Sequence, residues 1–93
     1  MKILVVEDEK SVSNFIKKGL EEQAYVVDVA FDGQIAEQLA AQNQYDAILL
    51  DVVLPGMNGL ELCKKIRRQK DVPILMLTAL GSTNDIVTGL DAG

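Results

Sequence analysis

The 93-residue chain reads as an α/β protein built on one doubly wound parallel sheet, and three observations carry that reading. Short apolar runs, Ile3 to Val6 and Ala47 to Leu50, have the continuous Val/Ile/Leu character of strands buried on both faces. Segments with helical spacing of apolar residues follow each run, and strict alternation of strand and helix favours parallel strands joined by right-handed crossovers. Both runs stop at carboxylates, the first at Glu7 and Asp8 and the second at Asp51. In open α/β sheets ligands collect at the carboxyl ends of the strands, so these acids are the leading candidates for a site.

Taken in order, Ile3 to Val6 is the first strand, and Val12, Phe15, Ile16 and Leu20 recur at helical spacing after it. Acidic Glu7, Asp8 and Glu9 suit that helix's N-terminus, which is also their bland reading. Val27 and Val29 alternate with Asp28 and Ala30, the pattern of a strand with one wetter side. Asp32-Gly33 opens a second helix carrying Ile35, Ala36, Leu39 and Ala40. Ala47 to Leu50 is the third strand, and Asn58-Gly59 opens a third helix with Leu62, Cys63 and Ile66. Asn-Gly is also a hairpin signal, but the residues after it have a period near four and no alternation, so the hairpin is rejected. Pro73 to Leu77 is the fourth strand, and Ser82 or Thr83 caps a last helix with Ile86, Val87 and Leu90.

Strand character sets strand position. The alternating second strand belongs at an edge and the other three look buried on both faces, which the flavodoxin-like order 2-1-3-4 satisfies. The path then reverses between the first and third strands, where Glu7, Asp8 and Asp51 end their runs. The fourth strand, Ile74 to Leu77, is as apolar as the first yet falls at an edge. A fifth strand and helix are therefore expected to be missing, leaving residues 1–93 as one incomplete domain.

The composition, 48% hydrophobic and 25% charged, is that of an ordinary globular domain. A net charge of −5 argues against nucleic-acid contact by this segment, because phosphate binding needs clustered cations. The cluster Lys64, Lys65, Arg67 and Arg68 reads as the solvated face of the third helix. One cysteine, Cys63, permits neither a disulfide framework nor a multi-thiolate site, and a reducing, cytoplasmic setting is expected. No apolar stretch approaches the length of a membrane span. The chain has no histidine, which removes His-ligated zinc and Ser-His or Cys-His nucleophile pairs.

Three carboxylates with no imidazole or thiolate suit a hard cation such as Mg²⁺. A carboxylate beside that ion can act as a nucleophile toward a phosphoryl donor, and Asp51, being central, is the candidate. Thr78, ending the fourth strand, offers a hydroxyl to a phosphoryl oxygen, although a Thr there is more often a turn or cap residue.

The stretches Lys2-Ile-Leu-Val-Val-Glu-Asp-Glu9, Ile48-Leu-Leu-Asp-Val-Val-Leu-Pro-Gly-Met-Asn-Gly59 and Pro73-Ile-Leu-Met-Leu-Thr-Ala79 resemble, in register, the receiver domain of two-component response regulators. The resemblance runs from Met1 to Gly93. It implies that Asp51 accepts phosphate from a histidine kinase, that Asp8 binds Mg²⁺ directly and Glu7 largely through water, and that Asp51 and the Val53 carbonyl complete the protein ligands. It further implies that Thr78 swings toward the phosphoryl group, that Ala79 leaves room beside it, and that Pro55 and Gly59 shape the loop after Asp51.

Family members continue into a fifth strand with a switch aromatic and a phosphate-contacting Lys, and then a fifth helix. Ending at Gly93, the chain is expected to lack these, with weakened phosphotransfer and lost output. The style of the sequence is similar to regulators with a C-terminal winged-helix DNA-binding domain, so DNA would be met only through an absent effector. The alternative is a fragment without signalling competence that self-associates into a homo-oligomer through the exposed fourth-strand edge and a bare sheet face. A flavodoxin would need a Ser/Thr/Gly-rich loop where Glu7-Asp8-Glu9 stands, and a haloacid-dehalogenase-like phosphatase would need an acid where Val53 stands. Neither enzyme class is expected, so the chain is read as a signalling domain rather than an enzyme.

Overall fold

The computed structural model describes residues 1–54 and 57–77. Four parallel strands, β1 (Lys2–Val6), β2 (Val26–Ala30), β3 (Ala47–Asp51) and β4 (Ile74–Leu77), form one sheet in the expected order β2-β1-β3-β4. Helices α1 (Lys10–Glu22), α2 (Gly33–Gln42) and α3 (Gly59–Gln69) make the connections. The fourth helix, expected to start after Ser82 or Thr83 and to carry Ile86, Val87 and Leu90, lies outside the described residues. None of the described helices is long and apolar enough to cross a membrane.

Alternation of side chains across the sheet sorts the core into two layers. Leu4, Val6, Ile48, Leu50, Ile74 and Met76 face α2 and α3, which contribute Ala36, Ala40, Leu62, Cys63 and Ile66. Ile3, Val5 and Val27 face the other way, under Ile16 and Leu20 of α1. Burying each large aliphatic side chain contributes about 1.5–3 kcal/mol.

The structure corrects the expectation that β3 and β4 are buried on both faces: Ala47, Leu49, Leu75 and Leu77 are only partly buried. These four residues share the face on which α1 packs mainly over β1 and β2. β1, flanked by strands and covered by helices on both sides, is the strand that matches.

Helix α1 departs further from its expected face. Its buried line passes through Ser13, Ile16 and Leu20, and Ser13 is fully buried with its hydroxyl donating to the Lys10 carbonyl at 3.1 Å. Phe15 is 80% exposed and Val12 37%, because Phe15 lies roughly 100° round the helix from Ile16. The helix ends with Ala24 at φ 66°, where its amide donates to the Glu21 carbonyl at 3.0 Å. Ile35 likewise points outward at 42% exposure, since the α2 face that packs runs through Gly33, Ala36 and Ala40.

Asp32 and Asn58 cap α2 and α3, accepting from the amides of Ile35 and Leu60, each at 2.8 Å. Asn58-Gly59 therefore opens a helix, as expected, and does not form a hairpin turn. Just before it, however, lies an antiparallel ladder of two residues per strand, Val53–Leu54 against Met57–Asn58, which the sequence does not announce. Two residues are too few to display an alternating pattern. On α3 Lys64, Lys65 and Arg68 are exposed and Leu62, Cys63 and Ile66 buried, as expected, but Arg67 is only partly exposed, with its Nε buried and its Nη1 3.4 Å from Asp71.

Candidate metal centre

Strand register builds the site. Val6 is paired with Leu50, so the next residues along β1 and β3, Glu7 and Asp51, emerge side by side at the carboxyl end of the sheet. The amide of Glu7 donates to the Ala30 carbonyl at 3.0 Å, extending the β1–β2 ladder by one residue and aiming the following loop across the strand ends. One carboxylate oxygen from each of Glu7, Asp8 and Asp51 lies within 4.8 Å of the others. Glu7 is 6% exposed and Asp51 8%, whereas Asp8 faces solvent. The mouth is thus open on the Asp8 side and walled by protein on the other two.

Glu7 also organises the start of α1. Its Oε1 accepts from the amide of Glu9 at 3.1 Å, and Glu9, the residue before the helix, makes no side-chain cap of its own. Burial pushes the Glu7 carboxyl up to about 7. The hydrogen bond and charge repulsion from Asp51 add to that rise and the Glu9 amide opposes it. A carboxyl pushed up in this way marks a place where negative charge is in excess. A divalent cation relieves the same excess. The donors are all hard carboxylate oxygens, so the residues fit an ion of the Mg²⁺ class, with water filling the remaining positions.

The chain after Asp51 is tightly guided. The Val52 amide donates to the Leu77 carbonyl at 3.0 Å, and the Gly59 amide donates to the Val52 carbonyl at 2.8 Å. A Cβ on Gly59 would meet the Asp51 carbonyl oxygen and would come within 2.7 Å of Val52 Cα and 2.8 Å of the Val52 carbonyl oxygen. Only glycine lets the start of α3 lie against the main chain that carries Asp51. The structure therefore brings Glu7, Asp8 and Asp51 together, with Gly59 behind them and the main chain of Val53 two residues on. Pro55, Thr78 and Ala79 lie outside the described residues.

Sequence reasoning missed Met57, whose side chain packs against the main core and against Gly33 at the start of α2. An isolated Met between Pro55-Gly56 and Asn58-Gly59 is the signal that could have found it: an apolar residue in a turn-forming stretch needs somewhere to go. Lys10 carries no such signal; its ammonium lies 5.8 Å from the centroid of the Phe31 ring at the same end of the sheet.

A family model described as the response regulator receiver domain matches residues 3–93. The response regulator ArlR of Staphylococcus saprophyticus is 48% identical over 92 residues, covering 99% of this chain and 42% of that protein. Its Staphylococcus aureus counterpart is 46% identical over 91 residues, again across 42% of its length. The chain thus spans less than half the length of these curated relatives. Among solved structures, the receiver domain of a Francisella response regulator superposes with a TM-score of 0.87 at 40% identity, covering 99% of this chain and 77% of that one. The Thermotoga maritima response regulator TrrA, solved in complex with Mg²⁺-BeF, gives 0.80 at 39% identity, covering 84% and 69%.

Proposed function

The chain belongs to the response regulator receiver domain family, and from that membership we propose that it is a phosphoacceptor module whose Asp51 takes a phosphoryl group from a histidine kinase in a Mg²⁺-dependent step. The observation that carries this reading is the convergence of the Glu7, Asp8 and Asp51 carboxylates, with Asp51 buried at the centre of the strand ends.

In the transfer, an ionised Asp51 oxygen attacks phosphorus in line. The new O–P bond forms as the P–N bond to the donor's imidazole breaks, and the electron pair leaves with that nitrogen. When bound, Mg²⁺ would neutralise charge on the transferring group. Asp8 and Asp51 would hold it directly, Glu7 through water and Val53 through its carbonyl. By the family pattern Pro55 would shape the loop together with Gly59, Thr78 would donate its hydroxyl to a phosphoryl oxygen, and Ala79 would leave space for it. The reaction consumes one phosphoryl group per Asp51, so the module is a signalling acceptor and not a turnover enzyme. In a longer regulator its output would pass to a DNA-binding transcription effector.

The test is phosphorylation by a small acyl phosphate with Mg²⁺. The chain should acquire a hydroxylamine-labile acyl phosphate, seen as one added phosphoryl mass, and Asp51→Asn should acquire none. Equal labelling of Asp51→Asn would remove the assignment.

A further inference from the structure

We infer that Met57 is a positioning residue for the metal-bearing loop: by seating on the glycine that opens α2, it holds the main chain of Val53 where its carbonyl can face the carboxylate cluster. The inference rests on the reading of that cluster as a Mg²⁺ site.

The chain from Asp51 to Leu54 is secured in two different ways. Asp51 and Val52 are tied to β4 and α3, through pairing of Asp51 with Leu77 and through the Val52 carbonyl and the Gly59 amide. Val53 and Leu54 are held by the ladder, in which Val53 pairs with Asn58 and Leu54 with Met57. A two-residue antiparallel ladder has no stability of its own and needs packing from outside. Leu54 supplies part of that packing by being buried in the main core. Its cross-strand partner Met57 adds packing of its own and reaches a different element, the first turn of α2.

The fit at that contact is close. Gly33 is buried, and a Cβ placed on it would lie 3.1 Å from Met57 Cβ and 3.2 Å from its sulfur. The missing side chain at Gly33 is what leaves the seat for Met57, and an unbranched thioether is suited to filling it. Groups that orient a metal's ligands without touching the ion are commonly worth 10–100-fold in affinity. Acting through a ladder onto one carbonyl, Met57 belongs near the lower end, about tenfold.

The experiment is a Mg²⁺ titration of the whole chain followed by amide NMR, which reports folding and binding together. Met57→Ala should remain folded and bind Mg²⁺ about tenfold more weakly, Met57→Leu should return to within about twofold of the parent, and Ile35→Ala, on the exposed side of the same turn, should match the parent. Gly33→Ala, which crowds the seat while leaving Met57 in place, should weaken binding in the same direction, and it decides the question by itself if Met57→Ala does not fold. A purely structural role would lower thermal stability and leave the affinity of the folded variants unchanged. That result, in either Met57→Ala or Gly33→Ala, overturns the inference while leaving the metal site standing. A parent chain that shows no saturable Mg²⁺ binding overturns the site and the inference together.

Discussion

Replacing Glu7 by Gln should stabilise the metal-free protein above neutral pH and flatten its pH profile. The Glu7 carboxyl titrates at about 7 in the folded chain against 4.5 unfolded, chiefly because burial disfavours its charged form. Between those values the unfolded chain has released the proton and the folded chain keeps it. The contribution is therefore complete below pH 4.5 and disappears as pH rises through about 7. Integrating between pH 5 and 8 gives about 2.5 kcal/mol lost by the parent. An amide at this position imitates the protonated carboxyl: it can donate to Asp51 and still accept from the Glu9 amide, and it does not titrate. Thermal melts in a chelator should show the Glu7→Gln variant gaining on the parent as pH rises, with the gap between them widening by roughly 10–20 °C from pH 5 to pH 8. Carboxyls away from the cluster cancel in that difference. Mg²⁺ at about one hundred times its Kd should return about 2.7 kcal/mol to the parent. Parallel melting curves for parent and variant across this range would refute the electrostatic account of the site.

Two further substitutions test the packing around it. Gly59→Ala places a methyl group against the main chain of Asp51 and Val52, where nothing flexible can yield, and should cost about 1–3 kcal/mol in denaturant melts and reduce labelling of Asp51. A neutral outcome would mean that α3 can slide away from the strand. Phe15→Ser should change stability by no more than about 0.5 kcal/mol, since the ring is 80% exposed, and a loss above about 2 kcal/mol would show that it is buried in solution.

Much of the site was legible because it depends on short-range facts. Strands that end at carboxylates, followed by helices with their own caps, place Glu7, Asp8 and Asp51 at one end of a parallel sheet whatever the fine packing. The faces of α1 were less legible: Val12 and Phe15 satisfy an apolar spacing rule as well as Ile16 and Leu20 do, and a small Ser13 is the fully buried residue of the helix. Hydropathy alone ranks Phe15 above Ser13. The packed face reverses the ranking: Ser13 is buried there with its hydroxyl bonded to its own helix, while Phe15 points to solvent.

What the sequence by itself determined is the order of elements, the strand order and the three acids that meet, because hydrophobic periodicity and the geometry of crossovers leave little alternative. Tertiary structure alone decided the raised Glu7 carboxyl, the two-residue ladder after Val52, and the seat that Gly33 makes for Met57. The ladder, though local, is too short to carry an alternating pattern, and the other two arise where residues far apart in the chain come within contact distance. Desolvation, steric room and charge repulsion depend on that distance, and no local pattern of residue types encodes it.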